Sequence, residues 1–328
     1  MVTSPPSGLA SGARTFAGLV LLVLGTAATL VTALGFLGDR WWGFDLVANL
    51  RFPAAVVLLL AGIVYGLVFG RGAAAVFVVA ALVDAALLAP LWLTRPPRPT
   101  ATARLVVATY DAHHDPSRRN QVVEWLRTLE ADVVFLQDTT DAWVEALAAA
   151  GLPYRIVATP LPETATGTIA LSRTSVDARA YPLGAGRDPV VEIQTSLAGA
   201  ELTILNVRSP FPTDATAASA QRDLFLRLAD ITRERTRPTL LIGDLGTTRW
   251  TSVFAILTRS GALTDSEEGH GYQGTWPARD WPLLEALVAL PVDHALTSSS
   301  LTTVRRETGP RLGTSQRPLV VELAPASG

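Results

Sequence analysis

Three long apolar runs open the chain, at residues 16–37, 52–69 and 73–93. Each is close to the about 20 residues that an α-helix needs to cross a bilayer. The pattern predicts three membrane-spanning helices after a short tail at 1–15. The first run is too long for a signal-peptide core, and two more spans follow it. Trp41 and Trp42 stand beside Asp39 and Arg40 just past the first run, where amphipathic rings meet headgroups, and Gly70-Arg71-Gly72 marks a hairpin between the second and third. Arg95-Pro96-Pro97-Arg98-Pro99-Thr100 cannot continue a helix, so a Pro-rich linker is set at 95–103 and a globular domain at 104–328.

From residue 104 the periodicity changes. Short β-branched runs predict strands at 105–109, 132–136, 154–158, 168–171, 190–195, 202–207, 239–242, 292–297 and 319–323. Helical patterns fall at 120–129, 215–235 and 252–259, and Ala198-Gly199-Ala200 predicts an antiparallel hairpin. Hairpins mixed with helices, without strict βαβ alternation, indicate an α+β domain of face-to-face sheets with helices outside.

Charge follows the same division. Residues 1–100 hold six Arg and three Asp, and the remainder holds 21 Arg against 26 acidic residues, a net charge of −5. That balance disfavours a phosphate-backbone partner, so no nucleic acid is expected. With no Cys and no Lys, thiolate nucleophiles, Cys-ligated metals and Schiff-base chemistry are excluded. Asp84 lies inside the third apolar run, where an acid is either functional or hydrogen-bonded between helices. Arg14 and Arg71 flank one side of the spans while Arg40, Arg51, Arg95, Arg98 and Arg104 flank the other, a count that by itself places the domain in the cytoplasm.

Four acidic motifs occur at predicted strand ends: Thr109-Tyr110-Asp111, Leu136-Gln137-Asp138, Gly243-Asp244-Leu245-Gly246 and Val292-Asp293-His294. Singly each fits a turn or helix cap. As an ordered set they can converge on a hard divalent cation such as Mg²⁺ or Mn²⁺.

With Val207-Arg208 before Pro210 and Pro212, Thr275-Trp276-Pro277, and Thr314-Ser315-Gln316-Arg317-Pro318, these motifs resemble the endonuclease/exonuclease/phosphatase superfamily, in particular membrane-anchored bacterial members of the teicoplanin-resistance type. The resemblance spans about residues 104–324 and implies a four-layer α/β/β/α sandwich and divalent-metal phosphoesterase chemistry. It would make Asp111, Asp138, Asp244 and Asp293 the metal-binding positions. The catalytic letters depart from the pattern. The family's Asn becomes Asp111, its Glu the shorter Asp138, its strand-end His Arg208, its Gly-Asp-x-Asn asparagine Gly246, and its terminal Asp-His pair Ser315 and Gln316. Arg208 is permanently protonated and cannot be a base, although its fork can bind a phosphate, and Gln316 has no titratable group. His113 and His114, close behind Asp111, are the nearest substitutes for a base; His294 is expected to be structural, His270 to lie in a solvated loop, and Trp276 to form core or pocket wall.

The resulting expectation is a membrane-anchored phosphoesterase-like domain with lost or much reduced hydrolysis, acting in binding, assembly or regulation at the cell envelope. The alternative is an active divalent-metal-dependent phosphohydrolase acting on a phosphorylated (polyprenyl) lipid or another phosphoester. The expected partners are the bilayer and either a phosphorylated lipid ligand or a membrane protein. The resemblance places the domain outside the cytoplasm, against the Arg count.

Overall fold

The computed structural model describes residues 7–113, 115–184 and 188–326, and the chain divides into two compact units, residues 1–89 and 90–328. Among the described residues, three helices are long and apolar enough to cross a membrane, over Gly12–Leu37, Arg51–Val68 and Arg71–Leu93.

In the first unit, α1 (Ser7–Leu34), α3 (Arg51–Val68) and α4 (Arg71–Leu88) pack together, and the short α2 (Trp42–Ala48) occupies the first connection. The seam is built of small residues, with Ala28, Ala54, Ala61, Ala80 and Ala81 buried around Leu58 and Phe77. A Cβ on Gly25 would lie 2.5 Å from the Phe77 ring, so glycine is required for that approach. Asp84 is fully buried and takes an ion pair from Arg51 Nη1 at 3.1 Å and a hydrogen bond from Thr32 Oγ1 at 2.7 Å. The Arg51 guanidinium also lies 4.4 Å over the Phe36 ring. Of the two sequence readings of Asp84, the interhelical hydrogen-bonded acid is the one observed.

The second unit starts with α5 (Pro90–Leu93) and contains two six-stranded mixed sheets. In the first, β1 (Leu105–Asp111) runs parallel to β2 (Val133–Thr139) and antiparallel to β12 (Leu319–Pro325); β11 (Leu301–Thr308), β4 (Gly167–Ser172) and β3 (Arg155–Ala158) complete it. In the second, β7 (Ala200–Asn206) runs parallel to β8 (Thr239–Asp244), extended by β6 (Val190–Leu197) and β5 (Asp177–Tyr181) on one side and by β10 (Asp293–Thr297) and β9 (Thr264–Asp265) on the other. The β6–β7 hairpin is antiparallel, turning through Ala198 and Gly199 at positive φ as its sequence predicts.

Alternation along the strands fills three apolar layers. Val107, Phe135 and Ala170 meet Ile193, Ile204, Leu240 and Ile242 between the sheets. Trp125 and Leu126 of α6 (Arg119–Thr128) and Trp143 of α7 (Asp141–Ala149) cover the outside of the first sheet. Leu224, Phe225 and Leu228 of α8 (Ala215–Glu234) cover the outside of the second. This is the four-layer α/β/β/α sandwich. The helix expected at 252–259 is instead a turn leading into a π-helical segment, Ile256–Ser260, that packs Leu257 beneath α8. Residues 95–100 are hydrogen-bonded onto this unit: Thr302 Oγ1 donates to Pro97 O and Thr100 N to Pro325 O.

Candidate active site

The four strand-end acids stand at one end of the sandwich. Asp111 ends β1, Asp138 lies near the end of β2, Arg208 follows β7, and Asp244 ends β8 directly opposite Asp293 at the start of β10. The parallel pairs bring these ends together because strands running the same way finish at the same edge.

A buried amide network ties the two sheets together beneath them. Gln137 Nε2 donates to Asn206 Oδ1 at 3.0 Å and Val207 O at 2.9 Å, while its Oε1 accepts from Asp244 N at 3.1 Å. Asn206 Nδ2 continues to Ile242 O at 3.0 Å. Gly243 permits this close approach: its φ is 145°, and a Cβ there would lie 2.0 Å from Val207 O.

Above that network, Arg208 is held by three carboxylates. Nε lies 2.7 Å from Asp111 Oδ2, Nη1 2.9 Å from Asp188 Oδ2, and Nη2 3.4 Å from Asp138 Oδ2. Burial alone would lower the Arg208 pKa, but Asp111, Asp138 and Asp188 raise it further above its ordinary value. Asp188 has its own pKa raised by burial, with Arg208 opposing. Sequence reasoning missed Asp188, which precedes β6 and carries no motif. The Arg208 donors expected to bind phosphate are thus directed at carboxylates, and an incoming phosphate has to displace one of them.

Asp244 and Asp293 have other partners in the same cleft. Asp244 Oδ1 accepts from Gly246 N at 2.8 Å and Oδ2 from Gln316 Nε2 at 3.1 Å. Burial, reinforced by the Asp111 charge, pushes the Asp244 carboxyl up to about 7. Asp293 is also raised, by burial and then by Asp244, and neither of its oxygens has a hydrogen-bond partner. Gly246, at φ +60°, keeps the backbone turn while removing any side chain from it.

His113 reaches this cleft. Its backbone N donates to Asp111 Oδ1 at 2.8 Å and its Nε2 lies 3.3 Å from Ser315 Oγ. His114 lies outside the described residues. His294 is fully buried; its Nε2 donates to Thr247 O at 2.8 Å, and its ring packs 4.6 Å from Phe254. His270 is half-buried in a turn, with Nδ1 3.1 Å from Glu268 O. A cavity of about 590 Å³ opens over the cleft, lined by Asp111, His113, Asp188, Arg208, Asp244 and Gln316 together with Phe211 and Trp276. The two rings lie 5.9 Å apart, so Trp276 is a pocket wall.

The donor set does not fit a divalent cation. Asp111, His113 and Asp138 place one ligand atom each within 4.8 Å of one another, but Arg208 already supplies a fixed positive charge to both acids. Asp244 accepts two N–H donors, which leaves Asp293 as the acid of the expected set with open oxygens. The four carboxylates grouped by sequence are therefore split into two groups with different partners.

The fold and the strand-end motifs together define a phosphoesterase-type sandwich. The endonuclease/exonuclease/phosphatase family model matches residues 107–316, and the chain belongs to that family. No curated protein matches it. Among solved structures it is similar to a functionally unknown conserved protein from Enterococcus faecalis, at 15% identity and a TM-score of 0.56, covering 67% of this chain and 100% of that one. A family protein from Bacteroides vulgatus matches at 14% identity and a TM-score of 0.54, covering 68% and 99% of the two chains. A mannosyl-6-phosphatase from Bacteroides thetaiotaomicron matches at 15% and 0.52, covering 67% and 99%. Identities this low speak to the fold alone.

Proposed function

We propose that this protein is a membrane-anchored member of the family whose cleft binds a ligand without hydrolysing a phosphate ester, serving binding, assembly or regulation at the cell envelope. The observation that carries this reading is the Arg208 guanidinium seated among Asp111, Asp138 and Asp188. It supplies a positive charge but cannot ligate a water and lower its pKa as a divalent cation does. Gln316 donates to Asp244 and has no proton to shuttle at neutral pH. Loss of a general base alone costs about 10²–10⁴-fold. The cavity, with its aromatic wall, supports retained binding.

The ligand class we assign from the resemblance is a phosphorylated polyprenyl lipid presented at the bilayer, with the domain on the outer face. Arg51, one of the residues whose count argues for the cytoplasmic side, is paired with Asp84 and shielded from solvent, which weakens that count. Alkaline phosphatase fused after residue 328 is expected to be active; fluorescence of a cytoplasm-restricted reporter in its place would reverse the sidedness.

The activity test uses the full chain in nanodiscs with Mg²⁺ or Mn²⁺ and phosphomonoester, phosphodiester and polyprenyl diphosphate substrates. Turnover is expected to equal that of Asp244→Ala. The second reading, an active metal-dependent phosphohydrolase with His113 as base, is favoured by the place of His113 in the cleft. Metal-dependent turnover abolished by Asp244→Ala would establish it and overturn the first.

A further inference from the structure

The globular unit carries an apolar projection that no part of the cleft chemistry uses. Trp281 and Leu283 are 73% and 90% exposed. They stand at and just inside the start of α9 (Pro282–Val288). Among the described residues after 93, the other exposed large apolar side chains, Phe211, Leu226 and Val304, reach only 38–41%. A soluble surface seldom leaves two adjacent large apolar side chains this open.

The projection is braced. Glu285, buried on the inner face of α9, accepts from Arg279 N at 3.1 Å and from Arg317 Nη1 at 3.1 Å, and also pairs with Arg311. A short rigid element thus presents its apolar side chains outward.

What covers it is indicated by chain continuity. The third span runs to Leu93, and its last residues belong to the globular unit. Gly269 N and Gly271 N donate to Pro90 O and Leu91 O, at 3.1 and 2.8 Å. On the same loop, Tyr272 donates from its hydroxyl to Ala289 O at 2.7 Å, immediately behind α9, and Trp276 N donates to Leu290 O at 3.0 Å. One loop therefore joins the segment that leaves the bilayer to the element that carries Trp281 and Leu283. Trp92 and Leu93, 54% and 77% exposed, add apolar surface at its other end. Trp at the start of such an element is suited to the headgroup level, where an amphipathic ring contacts both phases.

From this continuity we infer that Trp281 and Leu283 form a second, non-spanning membrane contact, dipping into the lipid–water interface on the side where the third span ends. Trp276, which lines the cleft, lies five residues before Trp281, within about 17 Å by chain length. This inference does not depend on whether the cleft hydrolyses its ligand.

The absence of Cys makes the test direct. Leu283→Cys, and separately Leu226→Cys on α8 as the reference, are labelled with an environment-sensitive fluorophore in the full chain and reconstituted in nanodiscs. Lipids carrying a nitroxide near the headgroup then act as quencher, with iodide as the aqueous quencher. The expected result is a blue-shifted label at 283 that loses about threefold more emission to the lipid quencher than the label at 226 and is shielded from iodide. Equal lipid quenching at the two positions overturns the inference. So does shielding from iodide without lipid quenching, which would mean that a protein, including a second copy of this chain, covers the projection. Neither outcome bears on the proposed function, which is read separately by comparing turnover of the full chain with that of Asp244→Ala.

Discussion

Replacing Arg208 by Ala tests the arrangement of charges at the cleft most directly. The substitution removes the donors at 2.7 Å from Asp111, 2.9 Å from Asp188 and 3.4 Å from Asp138, and leaves three carboxylates whose side chains are at most 8% exposed. Asp111 and Asp138 hold oxygens within 4.8 Å of each other. At an effective dielectric of about 20, two unit charges at that separation repel by about 3 kcal/mol. Loss of one partner from a buried ion pair costs a similar amount, about 3–5 kcal/mol. Arg208 itself is 26% exposed on its side chain, so solvent screening places the expected loss at the lower end, about 3 kcal/mol. For a unit of this size that corresponds to a fall of about 6–12 °C in Tm.

The sign of the pH dependence follows from the same charges. Asp188, already raised by burial, loses the guanidinium that opposes the rise, so its folded-state pKa climbs further above its unfolded value. The stability of the variant is therefore retained at acid pH and lost as pH rises through that raised value. Mn²⁺ or Mg²⁺ should then stabilise the variant and leave the parent unchanged, by about 2.7 kcal/mol at 100 times its Kd. Differential scanning fluorimetry of the full chain in detergent, from pH 5 to 8 with and without Mn²⁺, reads all three effects. An Arg208→Ala variant that melts with the parent, is indifferent to pH and gains nothing from the metal would refute the account of Arg208 as the cation of this site.

Three further outcomes are expected. Gln137→Ala removes the amide that spans the two sheets and leaves Asp244 N and Val207 O without its bonds; it should cost about 2–4 kcal/mol, measured by denaturant unfolding of the globular transition. Glu267 is buried, and burial together with the Asp265 charge raises its pKa to about 7, so its contribution is favourable below its unfolded pKa and is lost as pH climbs through about 7. Glu267→Gln should therefore flatten the fall in Tm between pH 5 and 8, and an unchanged slope would contradict it. Asp84→Ala leaves Arg51 inside the span bundle without its carboxylate; about 3–5 kcal/mol of destabilisation is expected, visible as lower thermal retention in detergent, with Arg51→Leu/Asp84→Leu recovering most of it.

The spans, the β6–β7 hairpin, α6 and α8 were legible because each has a single strong local cause: length of apolar run, turn residues, or an apolar stripe at helical spacing. The elements that escaped have weaker local patterns. β5 reads Asp-Ala-Arg-Ala-Tyr and pairs with β6 alone, so only one of its edges is satisfied and its side chains stay half in water. β11, at the edge of the other sheet, carries Arg305, Arg306 and Glu307 in what is otherwise a strand-like run. At 252–259 a helical pattern met a turn and a π segment, since Leu257 must reach the layer under α8 while Gly261 approaches Thr232 and Ala229.

Sequence alone determined three helices long and apolar enough to cross a membrane and an acid-bearing sandwich of the endonuclease/exonuclease/phosphatase type, and the resemblance to that family aligns Arg208 and Gln316 with its proton-transfer positions. Residue type sets those limits wherever the side chain lies: neither a guanidinium nor an amide gives up or takes up a proton near neutral pH. Only the tertiary structure decided which charges meet. Asp188, 20 residues before Arg208 in the chain, joins Asp111 and Asp138 around it, whereas Asp244 stands opposite Asp293 across β8 and β10 and accepts from Gln316. Electrostatic energy depends on separations of a few ångströms in a low-dielectric interior, and those separations are fixed by strand register and sheet packing, which no local pattern in the chain encodes.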